Sequence, residues 1–104
     1  MAQWDVHRNG SSRSQARIPY LLDIQADLLR SLGTRVVVPL YWPEAFGPPA
    51  RKLNPVLVVA GRPVIASFAE VAGVPLHALG ERVEGVEHER IALVSALDCL
   101  LSCV

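Results

Sequence analysis

The sequence predicts a mainly β domain of the α+β class: antiparallel strands followed by one C-terminal helix. Three observations carry this. Apolar residues fall in short runs separated by Gly and Pro, the punctuation of strands and turns. The run Val36-Val37-Val38 is β-branched throughout, which suits a pleated surface better than a helix. From Val86 to Val104 there is neither Gly nor Pro, and the apolar spacing becomes helical.

Taken in order, Gln3 to His7 reads as a first strand with Trp4 and Val6 on one side. Arg8 to Arg17 is polar and carries Asn9-Gly10-Ser11-Ser12, an exposed loop or a wide hairpin connection. Tyr20 to Ile24 and Arg35 to Tyr41 are strands, the second approached through Gly33-Thr34. Between them, Ala26 to Leu32 forms a short helical turn or a continued strand with a bend. Pro43, Pro48 and Pro49 bar Tyr41 to Lys52 from a sheet interior, so that stretch is a surface excursion. Within it, Trp42 and Phe46 either tuck back onto the core or face a partner. Val56 to Ala60 and Val64 to Ala66 flank Gly61-Arg62-Pro63 as a compact hairpin. A turn follows at Gly73-Val74-Pro75, and a short strand at Leu76 to Leu79.

The tail forms a helix over about 86–103, with Glu87 and Glu89 where the helix dipole favours negative charge. Ile91, Val94, Leu97, Leu101 and Val104 make one apolar stripe; Leu93, Ala96 and Leu100 make its neighbour. Their union is wider than a surface helix needs. Either both sides are buried within the subunit or one side meets a second subunit.

A chain of 104 residues, 51% hydrophobic, describes a single domain over residues 1–104. At that size roughly two thirds of the unfolded surface is buried, enough for one core. Ten basic residues balance ten acidic ones, and the net charge is zero. This argues against bulk nucleic acid or an anionic membrane as partner, since both attract basic surfaces. Weak charge repulsion also leaves copies free to associate. No apolar run approaches the roughly 18 residues of a membrane span, and Met1 to Gly10 lacks the order of a signal peptide. Cys99 and Cys103 are four apart, where a bridge across one helix face would be strained; they read as reduced thiols of a cytoplasmic protein.

The residues offer little to an enzyme, and no catalytic residue, metal or cofactor is expected. His7, His77 and His88 have no ligand spacing among themselves or with the cysteines. The seven glycines are scattered at turns and form no phosphate-binding loop. Ser11, Ser12 and Ser14 near arginines read as a solvated polar loop rather than a phosphate site. Asp23 and Asp27 lie in a strand-like context that fixes no catalytic separation, and His88 reads as a packing or capping residue. These residues describe a binding protein.

Leu22-Asp23-Ile24-Gln25-Ala26-Asp27-Leu28-Leu29, then Gly33-Thr34-Arg35-Val36-Val37-Val38-Pro39-Leu40, resembles a family pattern: Val-Asp-Val-Gln-Ser-Asp-Ile-Ile followed by Gly-Arg-Arg-Met-Val-Ile-Pro-Leu. It is that of the CcdB toxins of plasmid and chromosomal toxin–antitoxin modules. The similarity extends through Asn54-Pro55-Val56, Ala72-Gly73-Val74-Pro75, Leu79-Gly80-Glu81 and His88, and so spans essentially the whole chain. The resemblance implies an SH3-like barrel with a C-terminal helix, assembled as a homodimer in the bacterial cytoplasm. It implies poisoning of DNA gyrase, the dimer entering the gyrase A subunit and trapping the cleaved-DNA complex, in support of plasmid or locus maintenance. It further implies neutralisation by a cognate, CcdA-like antitoxin. DNA binding and transcriptional repression would come only through the antitoxin complex.

Residue by residue, the gyrase-binding set implied by the resemblance is Trp4, Ala26, Leu28, Asp98, Ser102, Cys103 and Val104. Trp4 stands where the family has Phe, Ala26 and Leu28 where it has Ser and Ile, and Asp98 where it has Asn. Ser102-Cys103-Val104 replaces a terminal Trp-Gly-Ile. Loss of that indole matters: a buried interfacial Trp is worth on the order of 2 kcal/mol or more. Two other functions fit the residues. One is a MazF-like endoribonuclease, for which Arg35, Thr34 and the first-loop arginines would line an RNA groove. The other is a non-toxic antitoxin-binding homologue, a consequence of the altered tail.

Overall fold

A computed structural model describes residues 2–102 of the chain. Seven strands make one curled antiparallel sheet, a half-barrel: β1 Asp5–Asn9, β2 Tyr20–Asp23, β3 Thr34–Tyr41, β4 Val56–Val59, β5 Arg62–Ala66, β6 Ala72–Pro75 and β7 Leu79–Gly85. Two helices complete it, the single-turn α1 (Pro43–Phe46) and the C-terminal α2 (Arg90–Ser102). The strand order is β4-β5-β3-β2-β1-β7, with β6 also on β3.

The eight-residue β3 organises the sheet. One of its edges pairs with β2 from Val37 to Leu40. The other edge changes partner midway: Thr34 to Val37 pair with β6, then Leu40 and Tyr41 with β5. Pro39 sits at that changeover, where its missing N–H removes no ladder bond, and its carbonyl accepts from Ser67 N–H at 3.0 Å. Val38 and Leu40 face the core with Val6, Leu22, Leu57, Val59 and Phe68, and Leu93 and Ala96 of α2 close onto the same cluster. Arg35, Val37 and Tyr41 on the opposite side of β3 are buried as well. From Val37 onward the strand is covered on both faces, which needs a continuous apolar run and explains Val37-Val38 and Leu40-Tyr41, whereas Val36 is exposed.

The first strand begins at Asp5 rather than Gln3, because Trp4 takes φ of 71° and turns the chain. Trp4 therefore shares no strand side with Val6. The β4–β5 turn is Ala60-Gly61, with φ of 51° and 80°, a type I′ geometry matched to strand twist. Arg62 and Pro63, read from sequence as turn residues, lie in β5. Gly73-Val74-Pro75 is strand rather than turn, since β3 offers a free edge on which Pro75 can end the ladder. Leu76–Ala78 is a 3-10 turn rather than a strand, and β7 follows it. Ala26 to Leu32 adopts the helical alternative, a 3-10 turn at Asp27–Leu29. Another such turn at Glu87–Glu89 precedes α2, so the helix starts at Arg90 rather than 86.

Trp42 and Phe46 tuck back. The Trp42 ring lies edge-on to Tyr20 at 6.0 Å, and Phe46 meets Tyr41 at 5.1 Å. The first loop is built on Asn9, whose amide donates to Ser14 Oγ and Ile18 O at 2.9 Å while its Oδ1 accepts from Ser11 N–H at 2.9 Å. Ser11 and Ser14 thus serve loop structure.

Candidate functional site

Trp4 owes its placement to a strained turn. A left-handed φ costs a non-glycine residue roughly 1–2 kcal/mol, so something must hold it. Its N–H donates to Asp23 O at 2.7 Å, and its carbonyl accepts from Val86 N–H at 2.9 Å. Asp5 ties the turn from below, accepting from Ala2 N–H at 3.0 Å and pairing with Arg82 Nε at 3.0 Å. These bonds set the half-buried indole against the edge of the core and beside the first turns of α2. Gln3 clasps the turn to the following loop: its N–H donates to Asp27 Oδ1 at 2.7 Å and its amide to Ile24 O at 3.1 Å.

That loop rests on a buried polar network. Asp23 and Arg35 form an ion pair whose side chains are 0% and 1% exposed. Arg35 donates from Nε to Asp23 Oδ2 at 2.8 Å, and Nη2 is 2.6 Å from the same oxygen. Asp23 Oδ1 accepts from Gln25 N–H at 3.0 Å. The Gln25 amide then donates to Leu29 O and accepts from Val36 N–H, both at 3.0 Å. The 3-10 turn is thereby fixed to β3, and Leu28 stands outward, 94% exposed. Ala26 sits at the N-cap of this turn with no side-chain cap, a position where a hydroxyl would be favoured.

On α2 the two sequence stripes part company. Leu93 and Ala96 are buried, and Leu97 and Leu100 half-buried, against the sheet. Ile91 (81% exposed), Val94 and Leu101 face outward. An open groove of about 610 Å³ runs beside them, lined by Gln3, Trp4, Arg90, Ile91, Val94, Ser95 and Asp98. A second hollow of about 420 Å³ shares Gln3, Trp4 and Arg90 and adds Asp27, Glu87 and His88. A third continues through Asp27 to Leu28 and Arg30. The three make one strip from the Leu28 loop, past Trp4, along α2.

Of the residues singled out in the sequence, Trp4 and Asp98 line one groove, and Leu28 joins them through Asp27. Ala26 is exposed beside Asp27. Ser102 is exposed at the end of α2, its Oγ donating to Asp98 O at 3.0 Å. Cys103 and Val104 lie outside the described residues. Sequence reading missed Gln3, Arg90 and Ser95 as lining, and left Ile91 and Val94 unassigned between core and partner. The wide helix face was the signal for the last two.

The groove imagined for RNA does not form around Arg35, which is buried on Asp23 and cannot reach a phosphate. Thr34 is exposed at the start of β3, and Arg8 pairs with Glu81 at 2.8 Å. A separate cluster joins Tyr41, whose hydroxyl donates to Glu70 Oε2 at 2.7 Å, and Ser67, which donates to Oε1 at 2.7 Å. Burial pushes the Tyr41 phenol above its ordinary value, and the Glu70 carboxylate adds to the shift. Among the described residues no group of His, Cys, Asp and Glu could hold a metal ion. No helix among them is long and apolar enough to cross a membrane.

The family model described as CcdB protein matches residues 3–103. No curated protein sequence matches the chain. Many solved structures match the fold, among them two toxins. One is an endoribonuclease in complex with its cognate antitoxin from a mycobacterial species, with TM-score 0.78 at 13% identity, covering 100% of this chain and 97% of that one. The other is the Mycobacterium tuberculosis toxin MazF-mt6, with TM-score 0.76 at 15% identity, covering 96% and 98%.

Proposed function

The chain belongs to the CcdB family of toxin–antitoxin toxins, and from that premise we propose that it acts on DNA gyrase as a protein–protein poison. The observation that carries the proposal is the strip from Leu28 past Trp4 along α2. A scattered exposed leucine means little, but outward Leu28, Ile91 and Val94 around an aromatic-walled groove mark a protein-binding surface. Burying Leu28 in a partner would contribute about 1.5–3 kcal/mol, and the indole of Trp4 a comparable amount. Trp4, Leu28 and Asp98 line this strip, Ala26 and Ser102 belong to the same loop and helix, and these five, together with Cys103 and Val104 outside the described residues, are the proposed gyrase contacts. The partners are then the gyrase A subunit and a cognate antitoxin, with operator DNA reached only through the antitoxin complex, in the bacterial cytoplasm. The proposal includes a homodimer, with Leu101, outward on α2 and not among the groove's lining, as an apolar contact for it.

Gyrase supercoiling and cleavage assays on the purified protein test this, with Ser102→Trp as comparison. Inhibition of supercoiling with accumulation of cleaved DNA is expected, stronger for Ser102→Trp because the variant restores an interfacial indole. Cleavage of RNA by catalytic amounts of the protein, with gyrase unaffected, would replace this reading with an endoribonuclease. Soluble protein that arrests no growth and leaves gyrase untouched would instead leave an antitoxin-binding module.

A further inference from the structure

Asparagine followed by glycine is the pair whose side-chain amide is lost most readily, because glycine leaves its own nitrogen unhindered. Asn9-Gly10 is such a pair, and it stands alone in this chain. The other asparagine, Asn54, precedes Pro55, which has no N–H, and no aspartate precedes a glycine. The fold requires both residues of the pair. Asn9 ends β1 at 8% exposure, and its N–H donates to Pro19 O at 3.0 Å. Its amide donates to both Ser14 Oγ and Ile18 O, which neither an aspartate nor a serine side chain can do. The Gly10 N–H donates to Ala78 O at 2.9 Å, and a Cβ on Gly10 would fall 2.8 Å from that same oxygen and 3.2 Å from His77 O. Both are backbone atoms and cannot swing aside, so no larger residue fits.

Deamidation needs the same groups. The Gly10 nitrogen must pass its proton to a base in water and bond to Asn9 Cγ; the Cγ–Nδ2 bond breaks, and the amide nitrogen leaves as ammonia with a proton from water. Water then adds to one carbonyl of the cyclic imide and breaks its bond to nitrogen, which takes back a proton. The product is an aspartate, or an isomer whose main chain runs through the side-chain carboxyl. One water is consumed, one ammonia is released, and nothing is oxidised or reduced. In the folded chain each participant is held: the proton on Ala78 O, the amide on Ser14 and Ile18, the backbone in the ladder opposite Leu79. The ring can close only after the loop opens.

The product does not fit the seat that asparagine leaves. An aspartate still accepts from Ser11 N–H, and the Ser14 hydroxyl can turn to donate. Ile18 O, however, would face a carboxylate oxygen across the 2.9 Å that a hydrogen bond now spans. A carboxylate at that burial needs compensating donors. No cation bonds to Asn9: Arg8 is paired with Glu81, and Arg13 and Arg17 are exposed. The isomer inserts an extra main-chain carbon between the N–H that bonds Pro19 and the N–H that bonds Ala78. We propose that Asn9-Gly10 is a modification site gated by folding: it deamidates only when the first loop has left β2 and the turn before β7, and the deamidated chain does not rebuild that loop. Unfolding thereby acquires an irreversible step with its own clock. Neither residue lines the Trp4 strip, so the site is independent of the target that strip meets.

The test incubates the full chain at mildly alkaline pH, folded in buffer and unfolded in urea, and follows conversion at Asn9 by peptide mass spectrometry. The unfolded chain should convert faster by roughly a hundredfold or more, the ratio set by how rarely the folded loop opens. On dilution from urea, the fraction that refolds should fall in step with conversion and retain Asn9, while converted chains collect in the unfolded fraction. Unfolding at mildly acidic pH, where the Gly10 nitrogen keeps its proton, should leave recovery complete. Asn9→Asp, made directly, should lower Tm and quicken amide exchange across residues 11–18. Should that variant not fold at all, the partition of converted wild-type chains between the two fractions decides the matter. Equal conversion rates in folded and unfolded chains would overturn the proposal, as would converted chains that refold with the wild-type Tm. Recovery lost equally fast at acidic pH, without conversion, would also overturn it and assign the irreversibility to aggregation.

Discussion

Arg35→Met should destabilise the protein by about 3–5 kcal/mol, the effect of leaving a buried carboxylate without its partner. The magnitude follows from the geometry. Both side chains are essentially sealed from water, and Nε and Nη2 converge on Asp23 Oδ2 at 2.8 and 2.6 Å. Methionine replaces much of the arginine stem, so little of the loss is packing. Asp23→Asn, alone, strands the guanidinium and should be similarly damaging. The double variant removes both charges, and its Asn carbonyl can still accept the Gln25 N–H; it should fall within about 2 kcal/mol of the wild type. The resulting coupling energy, about 3 kcal/mol or more, is measured by urea unfolding of the four proteins in a double-mutant cycle. A coupling below about 0.5 kcal/mol would refute the reasoning, because it would mean that the charges already reach water. Exchange of the amides across residues 26–32 should quicken in Arg35→Met, since Gln25 holds the Leu28 loop through the same network.

Leu28→Asp changes a side chain that is 94% exposed and should shift stability by less than about 0.5 kcal/mol while abolishing the gyrase inhibition proposed above; inhibition equal to that of the wild type removes Leu28 from the site. Leu93→Ala, fully buried on the core-facing side of α2, should cost about 2–5 kcal/mol in chemical denaturation. Tyr41 has its folded pKa raised above 10.0, so the unfolded tyrosine ionises first. Its contribution is complete below that pH and is lost as pH rises through the folded value, and Tyr41→Phe should flatten the alkaline fall of Tm. Ala60→Asn relieves a left-handed alanine ahead of Gly61 and should stabilise by roughly 0.5 kcal/mol, read as a rise in Tm.

Periodicity and punctuation made most of this fold legible. The β-branched run of β3 and the Gly-free, Pro-free tail declared themselves because local preference and tertiary role agree there. Where they disagree, sequence reading failed. Leu79–Gly85 holds two glycines and three charged residues with no apolar alternation, yet it is a strand because β1 offers it a ladder. Gly73-Val74-Pro75 has the composition of a turn and is extended for the same reason on β3. Arg35 looked available to a phosphate because its burial depends on Asp23, twelve residues away on a neighbouring strand. Trp4 was legible as an aromatic near the N-terminus. Its left-handed backbone, held by bonds to Asp23 and Val86, was not.

Those bonds also explain how three segments distant in sequence can present one strip. Asp23 serves both of the loops that flank it: its backbone carbonyl takes the Trp4 N–H, and its carboxylate takes Arg35 and the Gln25 N–H. The strained Trp4 turn and the Leu28 loop therefore hang from one residue, itself fixed in β2 opposite Val37. Val86, whose N–H donates to the Trp4 carbonyl, stands just past β7 and caps the Glu87–Glu89 turn, and so ties the indole to the segment that launches α2. Leu28 is thereby held outward by polar bonds behind its loop, while Trp4, fixed by its own backbone bonds, lies partly on the core and partly on the groove. In the proposed reading the side chains at Trp4 and Leu28 can change without disturbing the strip, because the Asp23–Gln25–Arg35 network that supports it bonds to neither side chain.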